Sequence, residues 1–196
     1  MNSLTTCRTT RGQLTFDPSM EKITAPATKT QHLFMFHRFE YEAEFYPTLS
    51  RLPLYVRMKL DITGIKLTLK DWLAFSIEER QAICHLPAEN AEGQQAFTAY
   101  VDFLRRKYHA SPVERLPPMS GSLWNPDRVP QPVLDKSHTN GKVVTLPEWR
   151  QWKFHERYAL YKTAISKSEP ETFYAVLNEL RVRLTDRRDH HGESKI

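Results

Sequence analysis

The alternation of hydrophobic and polar positions predicts a chain built mainly from helices. Apolar residues recur along one helical face in segments that we place at about 53–62, 69–75, 77–86, 92–108 and 170–184. Pro53 suits the first turn of a helix, and Gly64 suits the position just after one. Pro87 closes the third segment. The pattern therefore predicts a mainly all-α fold.

Several helix starts also carry a capping box, in which a Ser or Thr and an acidic residue three positions later bond each other's backbone N–H groups. The expected pairs are Thr68 with Asp71, Ser76 with Glu79, Thr145 with Glu148, and Ser168 with Glu171.

An aromatic-rich segment, residues 32–49, precedes the first helix. Within it Phe39, Tyr41 and Phe45 alternate with acidic residues, which is typical of a strand, and we expect the segment to be extended or partly helical. No second strand is evident to pair with it. Residues 1–31 are polar and Thr-rich, and we expect a flexible extension there.

The chain also repeats itself. A shift of 77 positions aligns residues 51–84 with 128–161, with identical residues at 11 of 34 positions. The shared residues are helix starts, helix ends and core aromatics, which favours a duplicated unit of three to four helices. We expect repeat units at 51–108 and 128–184, joined by a proline-rich linker at 109–127 that Trp124 anchors. Together with residues 32–50 they would form one domain, 32–184, followed by a charged tail, 185–196.

Composition narrows the classes of function only slightly. The chain has 196 residues and a net charge of +5, with a pI of about 9.2, which fits an acidic protein partner, a nucleic acid, or neither. Two cysteines, no evident signal peptide and no run near the roughly 18 apolar residues of a membrane span indicate a cytoplasmic protein away from the membrane.

Motifs for catalysis are not found. The eight histidines are scattered without zinc-ligand spacing, and no phosphate-binding glycine loop or nucleophile elbow is present. Cys84 lies on an apolar helix face, which favours a structural cysteine over a nucleophile. We therefore expect a protein that is not an enzyme and that binds no cofactor or metal.

Two further classes of function remain open, a nucleic-acid-binding regulator and a small-molecule sensor. Residues 53–62, Gly64 and 69–75 have the rhythm of a helix–turn–helix, which makes a nucleic-acid-binding regulator the alternative function. The second helix, LKDWLAF, has little with which to contact base edges, so nucleic-acid binding is disfavoured. A small-molecule sensor with a pocket between the two repeat units is a third possibility.

At the first unit the sequence resembles the nitrate reductase associated protein family. The resemblance rests on FEYEAEF (39–45) and on LPLYVRMKLDITGIKLTLKDWLAFSIEERQAICHLP (52–87), and it extends over about residues 34–184. It implies a non-catalytic accessory protein that supports the assembly, maturation or activity of assimilatory nitrate reductase, a molybdenum and iron–sulfur enzyme. The implied partner is that enzyme or its maturation machinery.

Most residues that match the family pattern have a structural explanation in caps, turns or the core. The matching residues without an obvious one are charged, and we expect them to form a protein-interaction surface: Glu42, Arg57, Lys59, Asp61, Lys66 and Arg80.

Overall fold

Helices make up most of the computed structural model, which describes residues 36–139, 141–167 and 170–192. The α-helices are α1 (Leu54–Thr63), α2 (Leu69–Ala74), α3 (Ile77–His85), α4 (Ala91–His109), α5 (Gln131–Thr139), α6 (Leu146–Gln151), α7 (Phe154–Ile165) and α8 (Pro170–Gly192). Short 3-10 helices lie at Glu40–Phe45 and Gly121–Trp124. The mainly all-α prediction is confirmed. The predicted extension 1–31 lies outside the described residues.

Local capping explains where several helices begin. The Thr68 hydroxyl accepts from the Asp71 N–H, and the Asp71 carboxylate accepts from the Thr68 N–H. The boxes that start at Ser76 and Thr145 are also present. These three predictions are confirmed, whereas Ser168 of the fourth box lies outside the described residues.

Gly64 ends α1 in the left-handed conformation, with φ of 66°. Its carbonyl accepts from the Leu116 N–H at 2.8 Å. Here the linker forms β2 (Glu114–Arg115), which pairs antiparallel with β1 (Ile65–Lys66). This short ribbon was not predicted, and it fastens the linker to the end of α1. Trp124 is fully buried, as predicted for the anchor of the linker.

Residues Glu40–Phe45 form a 3-10 helix, so the extended alternative is wrong there and the helical one holds. The Glu42 N–H donates to the Phe39 carbonyl at 3.0 Å, which closes the first turn. The Tyr46 hydroxyl then accepts from the Phe39 N–H at 2.7 Å. These local bonds satisfy backbone groups that a lone strand would have left unpaired.

Residues 77 positions apart make similar contacts, which supports the predicted duplication without establishing it. Lys59 Nζ donates to the Leu86 carbonyl at 2.5 Å, and Lys136 Nζ donates to the Thr163 carbonyl at 2.9 Å. The Trp72 and Trp149 side chains are both fully buried and both donate to a backbone carbonyl at 2.7 Å. The internal duplication therefore stays a prediction.

Helix α7 occupies the middle of the fold and packs against α1, α5 and α8. Because α1 belongs to the first predicted unit and α7 to the second, their contact joins the two halves of the chain. Helix α8 continues through residues 185–192, which the sequence assigned to the charged tail.

Candidate functional site

Glu42 lies inside the protein, with only 2% of its surface exposed, so its place on an interaction surface was wrong. Its carboxylate accepts from the Leu54 N–H at 2.8 Å, the Tyr46 hydroxyl at 2.6 Å and the Tyr41 hydroxyl at 3.2 Å. Burial raises its pKa, while these hydrogen bonds oppose the shift. Glu42 thus fastens the 3-10 helix to the N-terminus of α1.

Lys59 is also buried, with no exposed surface, so its expected place on the surface was wrong too. Its ammonium group donates to the carbonyls of Ile83, Cys84 and Leu86 at 3.2, 2.8 and 2.5 Å. These carbonyls lie at the C-terminal end of α3, where a cation is favoured. Burial lowers the pKa of Lys59 to about 8. Lys59 is therefore a helix cap inside the core.

Arg80 is half-buried, and its guanidinium group is engaged within the protein. It donates to the carbonyls of Thr48 and Leu49 at 3.1 and 2.9 Å. The Leu49 carbonyl also accepts from the Trp72 indole at 2.7 Å. Arg80 therefore holds the turn before α1 against α3, and its guanidinium group is largely occupied by these contacts within the protein.

The three other predicted residues lie together on one side of α1. Arg57 is exposed, and its Nε donates to the Leu52 carbonyl at 3.1 Å. Asp61 lies one turn further along the same helix. Lys66 is exposed in β1 and pairs with Glu114 across the ribbon at 2.9 Å. The structure thus brings together half of the predicted set.

Asp61 connects this face to α7. Its Oδ2 atom accepts from the Tyr158 hydroxyl at 2.7 Å and from Lys162 Nζ at 2.6 Å. The side chains of Asp61 and Lys162 are 24% and 30% exposed, so the pair is partly shielded from water. It fixes the position of Lys162 beside Arg57.

Two neighbouring clefts open along this face, with volumes of about 510 and 280 Å³. They share Leu52, Arg57 and Lys162 in their walls, so they form one continuous depression between α1 and α7. We call this depression the α1 groove. The residues that line it include Glu42, Arg51, Leu52, Arg57, Asp61, Lys66, Leu69, Leu116, Lys162 and Ile165.

The α1 groove carries more positive than negative charge. Four cationic residues line it: Arg51, Arg57, Lys66 and Lys162. Lys66 and Lys162 are paired with carboxylates, whereas Arg51 and Arg57 form no ion pair within the described part of the chain. Asp61 and Glu42 are the acidic residues that line it, and of these Asp61 is the more accessible, because Glu42 is buried.

Sequence reasoning missed Arg51 and Lys162. Arg51 aligns with the identical residue Arg128 when the chain is shifted by 77 positions, which suggested a structural role. Lys162 lies far from α1 in the sequence and outside the quoted family pattern, so only the packing of α7 against α1 reveals it.

The buried titratable groups outside the groove include Cys84 and the stacked pair His37 and His155. Burial raises the pKa of the Cys84 thiol to about 12, so the thiol remains protonated. His37 and His155 stack with their ring centroids 3.7 Å apart, and burial lowers the pKa of His155 to about 3. Within the described ranges, no three His, Cys, Asp or Glu residues are placed to hold a metal ion.

The helix–turn–helix alternative has little support in the structure. Helix α2 has only six residues, and its exposed side chains include Leu69, Lys70 and Leu73. A recognition helix needs several polar side chains that reach base edges.

Among the helices that the structure describes, none is both long and apolar enough to cross a membrane.

A comparison with protein families yields one finding. The sequence model of a family described as conserved nitrate reductase-associated protein matches residues 38–180. This range contains all the residues that line the α1 groove. Searches of curated proteins and of solved structures found no match.

Proposed function

The chain belongs to the family of conserved nitrate reductase-associated proteins. On this basis we propose that it is a non-catalytic accessory protein of assimilatory nitrate reductase. It supports the assembly, maturation or activity of that enzyme through protein–protein contact. The family match carries this proposal, because it spans most of the chain, including the first predicted repeat unit and all but the last four residues of the second.

The α1 groove is the proposed contact surface. It contains Arg57, Asp61 and Lys66, which match the family pattern and whose side chains reach the surface. Two of its walls come from α1 and α7, and the Asp61–Lys162 ion pair connects these two helices. A surface fixed in this way loses little conformational entropy when a partner binds.

The proposed role of the groove is binding and not catalysis. The thiol of Cys84 is buried and protonated, and the His37–His155 pair is stacked rather than directed into a cleft. The residues that line the α1 groove are suited to binding, with two unpaired arginines and exposed leucines. The partner is nitrate reductase itself or its maturation machinery, and we propose that they meet in the cytoplasm.

Deletion of the gene tests this function. Cells grown on nitrate should lose most of their nitrate reductase activity, and the wild-type gene supplied in trans should restore it. Immunoblotting and molybdenum analysis of the reductase then separate the roles. A low amount of reductase indicates assembly, and a normal amount with little molybdenum indicates maturation. Unchanged activity in the deletion strain would contradict the proposal.

A further inference from the structure

The α1 groove has properties that point to the chemistry of its partner. We propose that it binds an acidic peptide segment that carries at least one large apolar side chain, presented by the partner protein. This inference rests on the proposed accessory function, because it describes the segment through which the partner is held.

The unpaired arginines supply the charge complementarity. Arg51 and Arg57 both line the larger cleft, and neither forms an ion pair with a carboxylate of the described residues, although the buried Glu42 carboxylate interacts electrostatically with Arg57. An arginine side chain can hold a carboxylate through two parallel hydrogen bonds, which gives direction as well as attraction. Two such arginines in one cleft favour a segment with at least two Asp or Glu residues.

Exposed apolar side chains beside these cations define the second requirement. Leu69 and Ile165, in the larger cleft, are 49% and 40% exposed, and Leu116, in the smaller cleft, is 49% exposed. A cleft of about 510 Å³ has room for a large aliphatic or aromatic side chain of a partner. Burial of such a side chain against these residues removes apolar surface from water and so favours the complex.

The same groove is poorly suited to a nucleic acid. Asp61 and Lys162 both line the smaller cleft, and their ion pair leaves the Lys162 charge unavailable to a phosphate backbone. Lys66, which could contact phosphate, already shares its charge with Glu114 at 2.9 Å. A peptide of mixed acidic and apolar character avoids both problems, because its acidic residues can be spaced to meet only Arg51 and Arg57.

The test uses the full-length protein and a fluorescein-labelled probe peptide of repeating Glu-Glu-Leu. Fluorescence anisotropy should show saturable binding. Two matched peptides, with Lys for Glu or Ala for Leu, should bind about tenfold more weakly or not at all. Retention of affinity by either matched peptide would overturn the proposed chemistry, as would tighter binding of a single-stranded oligonucleotide.

Matched protein variants assign the binding to the groove. The double variant Arg51→Glu/Arg57→Glu should bind the acidic peptide at least about tenfold more weakly. Arg150→Glu, a charge reversal at an exposed position of α6 away from both clefts, should bind as wild type. Equal affinity of the double variant and wild type would overturn the groove assignment. Because this assay contains no reductase, its result is independent of the deletion experiment.

Discussion

Asp61 and Tyr158, 97 positions apart in the chain, meet in a hydrogen bond of 2.7 Å between α1 and α7. The Tyr158 hydroxyl donates to the same oxygen that pairs with Lys162. Burial and the adjacent Asp61 carboxylate raise the pKa of Tyr158, so its hydroxyl remains a donor throughout the physiological range. This contact determines how the two walls of the α1 groove face each other.

Removal of the Tyr158 hydroxyl should weaken the fold measurably. Tyr158→Phe should lower the free energy of unfolding in urea by about 1–2 kcal/mol, because Asp61 loses a buried donor. Tyr161→Phe, on the same helix, is the matched control, because the Tyr161 hydroxyl has no hydrogen bond to the described residues. If Tyr158→Phe and the control lowered the free energy of unfolding equally, the hydrogen bond to Asp61 would contribute nothing to stability.

Lys59 should be far more important for stability than Lys66, although both match the family pattern. Lys59→Met leaves three carbonyls at the end of α3 without their donor, and should lower the free energy of unfolding by about 2–4 kcal/mol. Lys66→Met removes only an exposed ion pair, worth at most about 1 kcal/mol. Chemical denaturation of both variants measures the difference, and equal losses would rule out the capping role of Lys59.

The contrast between these lysines shows what the sequence could predict. The capping boxes at Thr68 and Ser76 and the helix end at Gly64 depend on residues within a few positions, so local patterns predicted them correctly. Lys59 bonds carbonyls 24 to 27 positions away, and the N–H group of Leu54 reaches Glu42 from 12 positions away. Such tertiary contacts override local alternation of polar and apolar residues.

The candidate site was predictable only in part, for the same reason. Arg57, Asp61 and Lys66 are close in sequence, so the family pattern contained them together. Lys162 joins Asp61 from 101 positions away, and no periodic pattern in the sequence relates the two. Arg80 had a plausible surface pattern, but its hydrogen bonds to the turn at Thr48 and Leu49 could not be foreseen.

Stability should fall on mild acidification because of His155. Its pKa is about 3 in the folded protein and 6.5 in the unfolded chain, so between these values the unfolded chain binds the proton first. Stability is therefore lost as the pH falls through that window. From pH 7 to 5, the loss from this residue should be about 2 kcal/mol.

The variant His155→Phe keeps a ring against His37 and isolates this effect. Its free energy of unfolding should depend less on pH between 7 and 5 than that of wild type. The matched variant His138→Phe, at an exposed position, should retain the wild-type slope. Parallel curves for wild type and His155→Phe would refute the assignment to His155.

Two glycines with the same backbone conformation should respond differently to alanine. Gly64 and Gly141 have φ values of 66° and 71°, so each substitution strains the backbone by about 1–2 kcal/mol. A Cβ at Gly64 would also lie 2.3 Å from the Leu116 carbonyl oxygen, whereas a Cβ at Gly141 meets nothing within 4 Å.

Gly64→Ala should therefore reduce the melting temperature more than Gly141→Ala does. The expected difference in free energy of unfolding is about 1–3 kcal/mol, as for other overpacked sites. Because the clash is with the linker, Gly64→Ala should also disturb the β1–β2 ribbon beside the groove. Equal melting temperatures would mean that the linker moves aside without loss of stability, which would contradict this prediction.

Capture of the partner from cells is the most direct test of the central claim. Tagged wild-type protein and Arg150→Glu, expressed in nitrate-grown cells, should enrich nitrate reductase or a molybdenum-cofactor protein in mass spectrometry. Arg51→Glu/Arg57→Glu should lose that enrichment while remaining folded by circular dichroism. If wild-type protein enriches neither class of protein above an untagged control, the accessory function proposed here is contradicted.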